Sequence, residues 1–213
     1  QAVDERLHDT IEDFSRGNDD VANADRLKML LDGNGSDKAT RHNYHQAYAR
    51  ILGNGQGVQK IFEIGLGTNN IDVVSTMGRA GCPGASLRAF RDFCPNAIVY
   101  GADFDKRVLF QEKRIQTVFV DQTNPQTFQE VGESVGSDFD LMIDDGLHAP
   151  NANLHSLAFF LPRIRVGGWA VVEDIAPEAE VIWRLAALLL PSGHESHLLT
   201  GRSAMLFLVQ RIA

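Results

Sequence analysis

The chain contains little cysteine and no long apolar run. Its 213 residues include only two cysteines, Cys82 and Cys94, which do not match the paired C-x-x-C spacing of zinc sites and which we expect to be reduced. The longest apolar stretches, such as residues 182–191, are far shorter than the ~20 residues that span a bilayer. No signal-like segment opens the chain. These absences predict a cytoplasmic protein with no membrane partner.

Basic side chains are fewer than acidic ones. The chain has 20 Lys and Arg against 28 Asp and Glu, which gives a formal net charge of -8, and no run of basic residues occurs. This balance argues against a nucleic-acid partner, because phosphate contacts need clustered positive charge. It does not exclude a small anionic ligand. The length suits one domain with a real core, and because the first residue is Gln1 rather than Met, we expect residues to precede it.

The hydrophobic pattern divides the chain into two parts. Residues 1–55 are polar with helical periodicity and predict three short helices that form an N-terminal cap or lid. From residue 56 to residue 213, β-prone runs alternate with helical segments. The predicted strands are 60–65, 97–103, 117–121, 141–145 and 168–173. This alternation predicts an α/β fold with a Rossmann-like, doubly wound, mostly parallel sheet.

Two segments depart from this alternation. Residues 196–200 and 204–211 flank only Gly201-Arg202-Ser203, which predicts an antiparallel C-terminal hairpin strand. Glycines and a proline interrupt the segment that follows the first strand of the sheet, and helical character returns only at about residues 86–93. A loop of this length at the ligand edge of a sheet is typical of a functional or mobile segment.

Doubled carboxylates close two of the apolar runs. Asp144-Asp145 and Glu173-Asp174 end two predicted strands that are separated by one helical segment, and His148 follows the first pair. Such a crossover makes the strands parallel and, if they are neighbours, sets their carboxyl ends ~5 Å apart. Because four acidic groups would repel one another there, a divalent metal ion is the natural candidate to compensate them.

Acidic residues also end the three preceding strands. The first ends in Glu63-Ile64-Gly65-Leu66-Gly67, the second at Asp103 and the third at Asp121. Asp103 could accept hydrogen bonds from ribose hydroxyls, and Asp121 could hold an adenine amino group. The third glycine of a dinucleotide fingerprint is replaced by Asn70, so the pattern favours an adenosyl ligand without phosphates. Taken singly, each acid could instead be a helix cap or a solvated loop residue.

These motifs resemble those of class I S-adenosylmethionine-dependent methyltransferases. More narrowly, they are similar to the metal-dependent sugar O-methyltransferases of antibiotic biosynthesis, the macrocin and mycinamicin type. The likeness runs from about Ser36-Asp37-Lys38 to the end and includes His42-Asn43-Tyr44 and residues 84–88. Two departures from the family pattern are expected: Asn69 replaces a common third glycine, and we expect no auxiliary domain of the mycinamicin kind before residue 1.

The resemblance implies a site and an activity. The activity is methylation of a sugar hydroxyl on a glycosylated natural product by a homo-oligomer, a dimer or a tetramer. Asp145 and His148 would be catalytic, with His148 as the general base. Mg²⁺ or Mn²⁺ would be held by Asp145, Glu173 and Asp174. S-adenosylmethionine would be bound by Glu63, Gly65, Gly67, Ser86, Asp103, Asp121, Gln122 and Asp144.

Several alternatives stay open at this point. Regular strand geometry would point Glu173 and Asp174 to opposite faces, so joint metal ligation requires the strand to bend or end there. Asp144 would either face the cofactor or only cap, and the segment from Asp37 to His45 would either cover the site or form a solvated hairpin. The competing activities are a metal-independent methyltransferase acting on a small phenol or amine, a nicotinamide-dependent oxidoreductase, and a non-catalytic adenosyl-binding subunit.

Overall fold

A computed structural model describes residues 9–213, except for the side chains of residues 18–20. The helices are α1 (Ile11–Phe14), α2 (Asn18–Asn34), α3 (Tyr44–Leu52), α4 (Ala85–Phe93), α5 (Pro125–Val135), α6 (Pro150–Phe160) and α7 (Glu180–Leu188). The strands are β1 (Asp9–Thr10), β2 (Lys60–Ile64), β3 (Ile98–Asp103), β4 (Gln111–Glu112), β5 (Ile115–Phe119), β6 (Phe139–Asp144), β7 (Ile164–Ile175), β8 (His194–Thr200) and β9 (Met205–Arg211). No described helix combines the length and the apolar character needed to cross a bilayer.

The strands form one mixed sheet in the order β1-β8-β9-β7-β6-β2-β3-β5-β4. Strands β7, β6, β2, β3 and β5 run parallel, whereas β9 pairs antiparallel with both β7 and β8. The predicted α/β fold and the C-terminal hairpin are therefore confirmed. Since β6 and β7 are immediate neighbours, the two carboxylate doublets meet at one edge of the sheet.

Helices cover both faces of the sheet. Leu27, Tyr48 and Phe90 pack on one face, from α2, α3 and α4, while Phe160 and Trp183 pack on the other from α6 and α7. One face of α3 is part of the central core, and both tyrosines of this helix are fully buried. The N-terminal helices therefore share the core of the sheet, and the boundary predicted at residue 55 stays a prediction.

Strand β7 bends at its acidic end. Its pairing with β9 shifts register between Val172 and Ile175, and Asp174 has a positive φ of 53°. A bulge of this kind redirects successive side chains, which regular pleating would place on opposite faces. The strand therefore has the bend that joint metal ligation by Glu173 and Asp174 would require.

His45 in α3 predicts a specific acid sensitivity of the fold. Burial, followed by the nearby charge of Lys28, lowers the pKa of His45 to about 4. The unfolded chain, with a histidine pKa of ~6.5, binds the proton more readily, so the stability is full above that pH and falls as the pH drops towards 4. When the pH falls from 7 to 5, the unfolding free energy of the wild type should fall by about 1–2 kcal/mol more than that of His45→Leu. Urea denaturation at the two pH values measures the difference. Equal losses would contradict a buried neutral His45.

Candidate active site

A cavity of about 1060 Å³ opens at the carboxyl edge of the sheet. The predicted site residues that line it are Gly65, Gly67, Ser86, Asp103, Asp121, Gln122, Asp145, His148 and Asp174. Three others, Glu63, Asp144 and Glu173, are buried with at most 1% exposure and do not line it. The topology thus brings the predicted residues together in two layers, one facing the cavity and one beneath it.

The glycine loop after β2 forms one side of the cavity. Asp103 accepts hydrogen bonds from the backbone N–H groups of Leu66 and Asp105, each 2.8 Å long, and burial raises its pKa despite them. Gly65 has a φ of 93°, and a Cβ there would lie 2.0 Å from the Asp145 carbonyl oxygen. Only glycine therefore allows the loop to pass this close to the end of β6.

A polar cluster that the sequence reading did not identify holds the same loop. The Asp105 carboxylate accepts hydrogen bonds from Thr68 Oγ1 at 2.7 Å and from Asn70 Nδ2 at 2.8 Å, and it also pairs with Arg107. Asn70, which stands where a dinucleotide fingerprint has glycine, is used here as a hydrogen-bond donor. Asn69 does not have a positive φ, so no left-handed backbone is needed at that departure from the family pattern.

Asp145, His148 and Asp174 form the other side of the cavity. One ligand atom from each lies within 4.8 Å of the other two. His148 Nε2 is 3.1 Å from Asp145 Oδ1 and 3.8 Å from Asp174 Oδ2. The two carboxylates at this separation suit a small divalent cation, and the imidazole lies beside them.

The charges of this group affect one another. Burial disfavours the Asp145 anion, but the Lys38 ammonium and His148 outweigh it and hold the Asp145 pKa at about 2. Burial also lowers the His148 pKa, yet the hydrogen bond and charge of Asp145, with the charge of Asp174, raise it above its usual value overall. Asp145 is therefore an anion at neutral pH, available to a cation.

Two of these three residues have left-handed backbone. His148 has a φ of 55° and Asp174 a φ of 53°. Such a conformation is costly for residues other than glycine, although Asp and His tolerate it better than most. Strain of this kind clusters at functional sites, and here it occurs at two residues that face the same cavity.

A buried network supports the loop that carries His148. The fully buried Asp144 accepts hydrogen bonds from Gln122 Nε2 at 2.8 Å and from Asn153 Nδ2 at 2.9 Å. Gln122 Oε1 in turn accepts the backbone N–H of Leu147 at 2.8 Å. Cofactor contacts of Asp144 and Gln122 stay predictions, because the contacts described for them support the loop beside the cavity.

Three side chains of the N-terminal segment contact the acidic doublets. Lys38 Nζ lies 2.5 Å from Asp145 and 2.6 Å from Glu173, Tyr44 donates to Asp174 at 2.6 Å, and Tyr48 donates to Glu173. The sequence placed Lys38 and Tyr44 in the resemblance and in the segment that could cover the site, but it predicted no contact of Lys38, Tyr44 or Tyr48 with these acids. The i, i+4 spacing of the two tyrosines, which places both on one helix face, was the available signal.

The structure has a methyltransferase fold. MycE methyltransferase from the mycinamycin biosynthetic pathway, solved in complex with Mg and SAH, superposes with a TM-score of 0.68 at 22% identity over 92% of this chain and 55% of that chain. At this identity the likeness shows the fold alone. The predicted and the observed folds therefore agree.

Curated relatives are more informative about the class. The chain is 30% identical over 142 residues, 66% of its length, to 8-demethyl-8-alpha-L-rhamnosyl tetracenomycin-C 2'-O-methyltransferase of Streptomyces olivaceus. It is 36% identical over 92 residues, 43% of its length, to demethylmacrocin O-methyltransferase of Streptomyces fradiae. No protein-family model matches the chain. The resemblance to sugar O-methyltransferases of antibiotic biosynthesis is thus confirmed.

The relatives are much longer than this chain. The chain spans 35% of the first relative and 23% of the second. The activities and substrates of those relatives are therefore properties of longer proteins.

Proposed function

We propose that the chain is an S-adenosylmethionine-dependent and divalent-metal-dependent O-methyltransferase that acts on a sugar hydroxyl of a glycosylated natural product. The observation that carries this proposal is the convergence of Asp145, His148 and Asp174 in the same cavity as Asp103 and the glycine loop. One side of the cavity carries carboxylates and an imidazole. The other carries the Asp103 carboxylate, which would accept hydrogen bonds from ribose hydroxyls. The names of the relatives supply the class of substrate.

The residues present fit both implied groups. Asp145 and Asp174 would hold the metal, and Glu173, whose carboxylate shares Lys38 with Asp145, stays the predicted third ligand. The metal would stabilise negative charge on a hydroxyl oxygen, and Mg²⁺ or Mn²⁺ suits oxygen ligands. Gly65, Gly67, Ser86, Asp103 and Asp121 face a cavity large enough for S-adenosylmethionine, which supplies the methyl group.

His148 would accept the proton of the attacking hydroxyl. Its Nε2 lies at the cavity wall and contacts Asp145 Oδ1, so the ring is held where the hydroxyl must approach the carboxylates. Asp174 Oδ2 lies on the same side of the ring and favours the imidazolium that forms. General-base assistance of this kind contributes ~10²–10⁴-fold to a rate.

A metal-independent methyltransferase is the second candidate. Lys38 already places a positive charge between Asp145 and Glu173, so part of the acidic group is neutralised by the protein itself. This candidate predicts full activity in excess chelator. We also propose a homo-oligomeric, cytoplasmic enzyme without a membrane partner. The acidic composition supports the further proposal that it has no nucleic-acid partner.

Asp103→Ala tests the cofactor half of the site. The variant loses the carboxylate that would bind ribose hydroxyls, and we expect the affinity for S-adenosylhomocysteine to fall by about 2–4 kcal/mol, or roughly 30- to 1000-fold. Titration calorimetry measures it, and NAD in the same assay tests the oxidoreductase alternative. Asp92→Ala, an exposed aspartate paired with Arg91, is the matched control and should bind normally. Normal affinity in a folded Asp103→Ala variant would show that Asp103 does not bind the cofactor.

A further inference from the structure

Lys38 lies at the centre of three carboxylates that come from three different strand ends. Its Nζ is 2.5 Å from Asp145 Oδ2, 2.6 Å from Glu173 Oε2 and 3.1 Å from Glu63 Oε1. The lysine is 2% exposed, and Glu63 and Glu173 are buried still more completely. Glu63 Oε1 has no other polar partner among residues 9–213 and depends on this ion pair.

The arrangement around the ammonium is that of a small cation in an oxygen site. Three carboxyl oxygens at 2.5–3.1 Å surround one positive charge, which matches the three N–H donors of an ammonium group. Three converging carboxyl groups, of which Glu63 and Glu173 are buried, would carry a large desolvation and repulsion penalty without such a charge. The ammonium therefore takes the place that a metal ion takes in many acidic clusters.

Asp145 connects this ammonium to the proposed metal position. Its Oδ2 contacts Lys38, while its Oδ1 faces His148 at 3.1 Å, within the group that includes Asp174. A carboxylate that bridges two neighbouring cations is the usual arrangement of two-metal sites, where the cations are ~3.5–4 Å apart. Here one of the two positions is filled by a side chain.

We propose that Lys38 is a resident cation that limits this enzyme to a single divalent metal ion. The inner position, between Glu63, Asp145 and Glu173, belongs to the ammonium. The outer position, at Asp145 and Asp174 beside His148 and with Glu173 as the predicted third ligand, belongs to the metal. Lys38 is thus a positioning residue that fixes Asp145 between the two. The inference rests on the proposed metal dependence.

Mn²⁺ binding to three lysine variants tests the inference. The wild type should bind one Mn²⁺ per chain by titration calorimetry and show an isolated-ion electron paramagnetic resonance spectrum. Lys38→Ala opens the inner position and should bind two, with the spin-coupled spectrum of adjacent ions. Lys38→Arg keeps the charge and should bind one. Lys28→Ala, which removes an exposed ammonium paired with Asp32, is the matched control and should also bind one.

The outcomes separate this inference from the proposed function. One Mn²⁺ in the wild type and only one in Lys38→Ala would overturn the inference and leave the metal-dependent function standing. No Mn²⁺ in the wild type would overturn the metal dependence itself, and two in the wild type would overturn the inference. If Lys38→Ala is poorly folded, millimolar Mn²⁺ should raise its Tm more than that of the wild type, because two ions bind its native state. An equal rise would contradict the inference.

Discussion

Asp145→Asn is expected to abolish turnover and to lower kcat by ~10³-fold or more. The variant loses metal-assisted charge stabilisation, so the free energy of its transition state rises by several kcal/mol. The carboxylate contacts both Lys38 and His148, so one substitution disconnects the two halves of the acidic group. The affinity for S-adenosylhomocysteine should stay within about threefold of the wild type, because the ribose acceptor lies on the other side of the cavity. Single-turnover assays with calorimetry in parallel measure both quantities.

Two further variants serve as comparisons for Asp145→Asn. Asp92→Asn removes an exposed carboxylate and should leave turnover unchanged. Glu173→Gln should lower turnover as Asp145→Asn does, since Glu173 shares Lys38 with Asp145 and is the predicted third ligand. If Asp145→Asn retains a third or more of wild-type turnover, the reaction does not depend on a metal ion held by Asp145.

His148→Ala should lower kcat by ~10²–10⁴-fold with little change in cofactor affinity, as expected when a proton acceptor of the transition state is lost. Only neutral imidazole accepts a proton, so the wild-type rate should rise with pH through one histidine-like ionisation. In the variant that rise should be absent. The pH profile of kcat under saturating substrate measures both effects.

His148→Asn separates chemistry from backbone strain. His148 has a φ of 55°, and asparagine tolerates left-handed backbone better than alanine. The asparagine variant should therefore fold as well as the wild type and still lose the same rate. If either folded variant works within threefold of the wild type, metal coordination alone activates the hydroxyl and His148 is not the base.

The sequence predicted the edge of the sheet where the site lies, because parallel neighbouring strands end together. The acids at the ends of β6 and β7 were placed correctly by this rule, and the strand pairing confirms it. Glycine spacing likewise located the loop at the cavity. These predictions depended only on local pattern and chain order.

The interactions of Lys38 could not be predicted in the same way. They join residues 107 and 135 positions apart in the chain, and they depend on how α2 and α3 pack against the sheet. The bend at Asp174 was recognised as a requirement, but its presence depends on the pairing of β7 with β9. Periodicity shows which face of a helix is buried and not which partner it meets.

The most direct test of the proposed function is methyl transfer itself. The purified chain would be incubated with methyl-labelled S-adenosylmethionine and a deoxysugar glycoside that carries adjacent free hydroxyls, with Mg²⁺ or with excess EDTA, and the products would be analysed by mass spectrometry. A metal-dependent sugar O-methyltransferase should form one labelled methyl ether on the sugar with Mg²⁺, lose this activity in EDTA and regain it when Mg²⁺ is returned. Equal transfer in EDTA, or label on an amine or a phenol in place of the sugar, would contradict the proposed function.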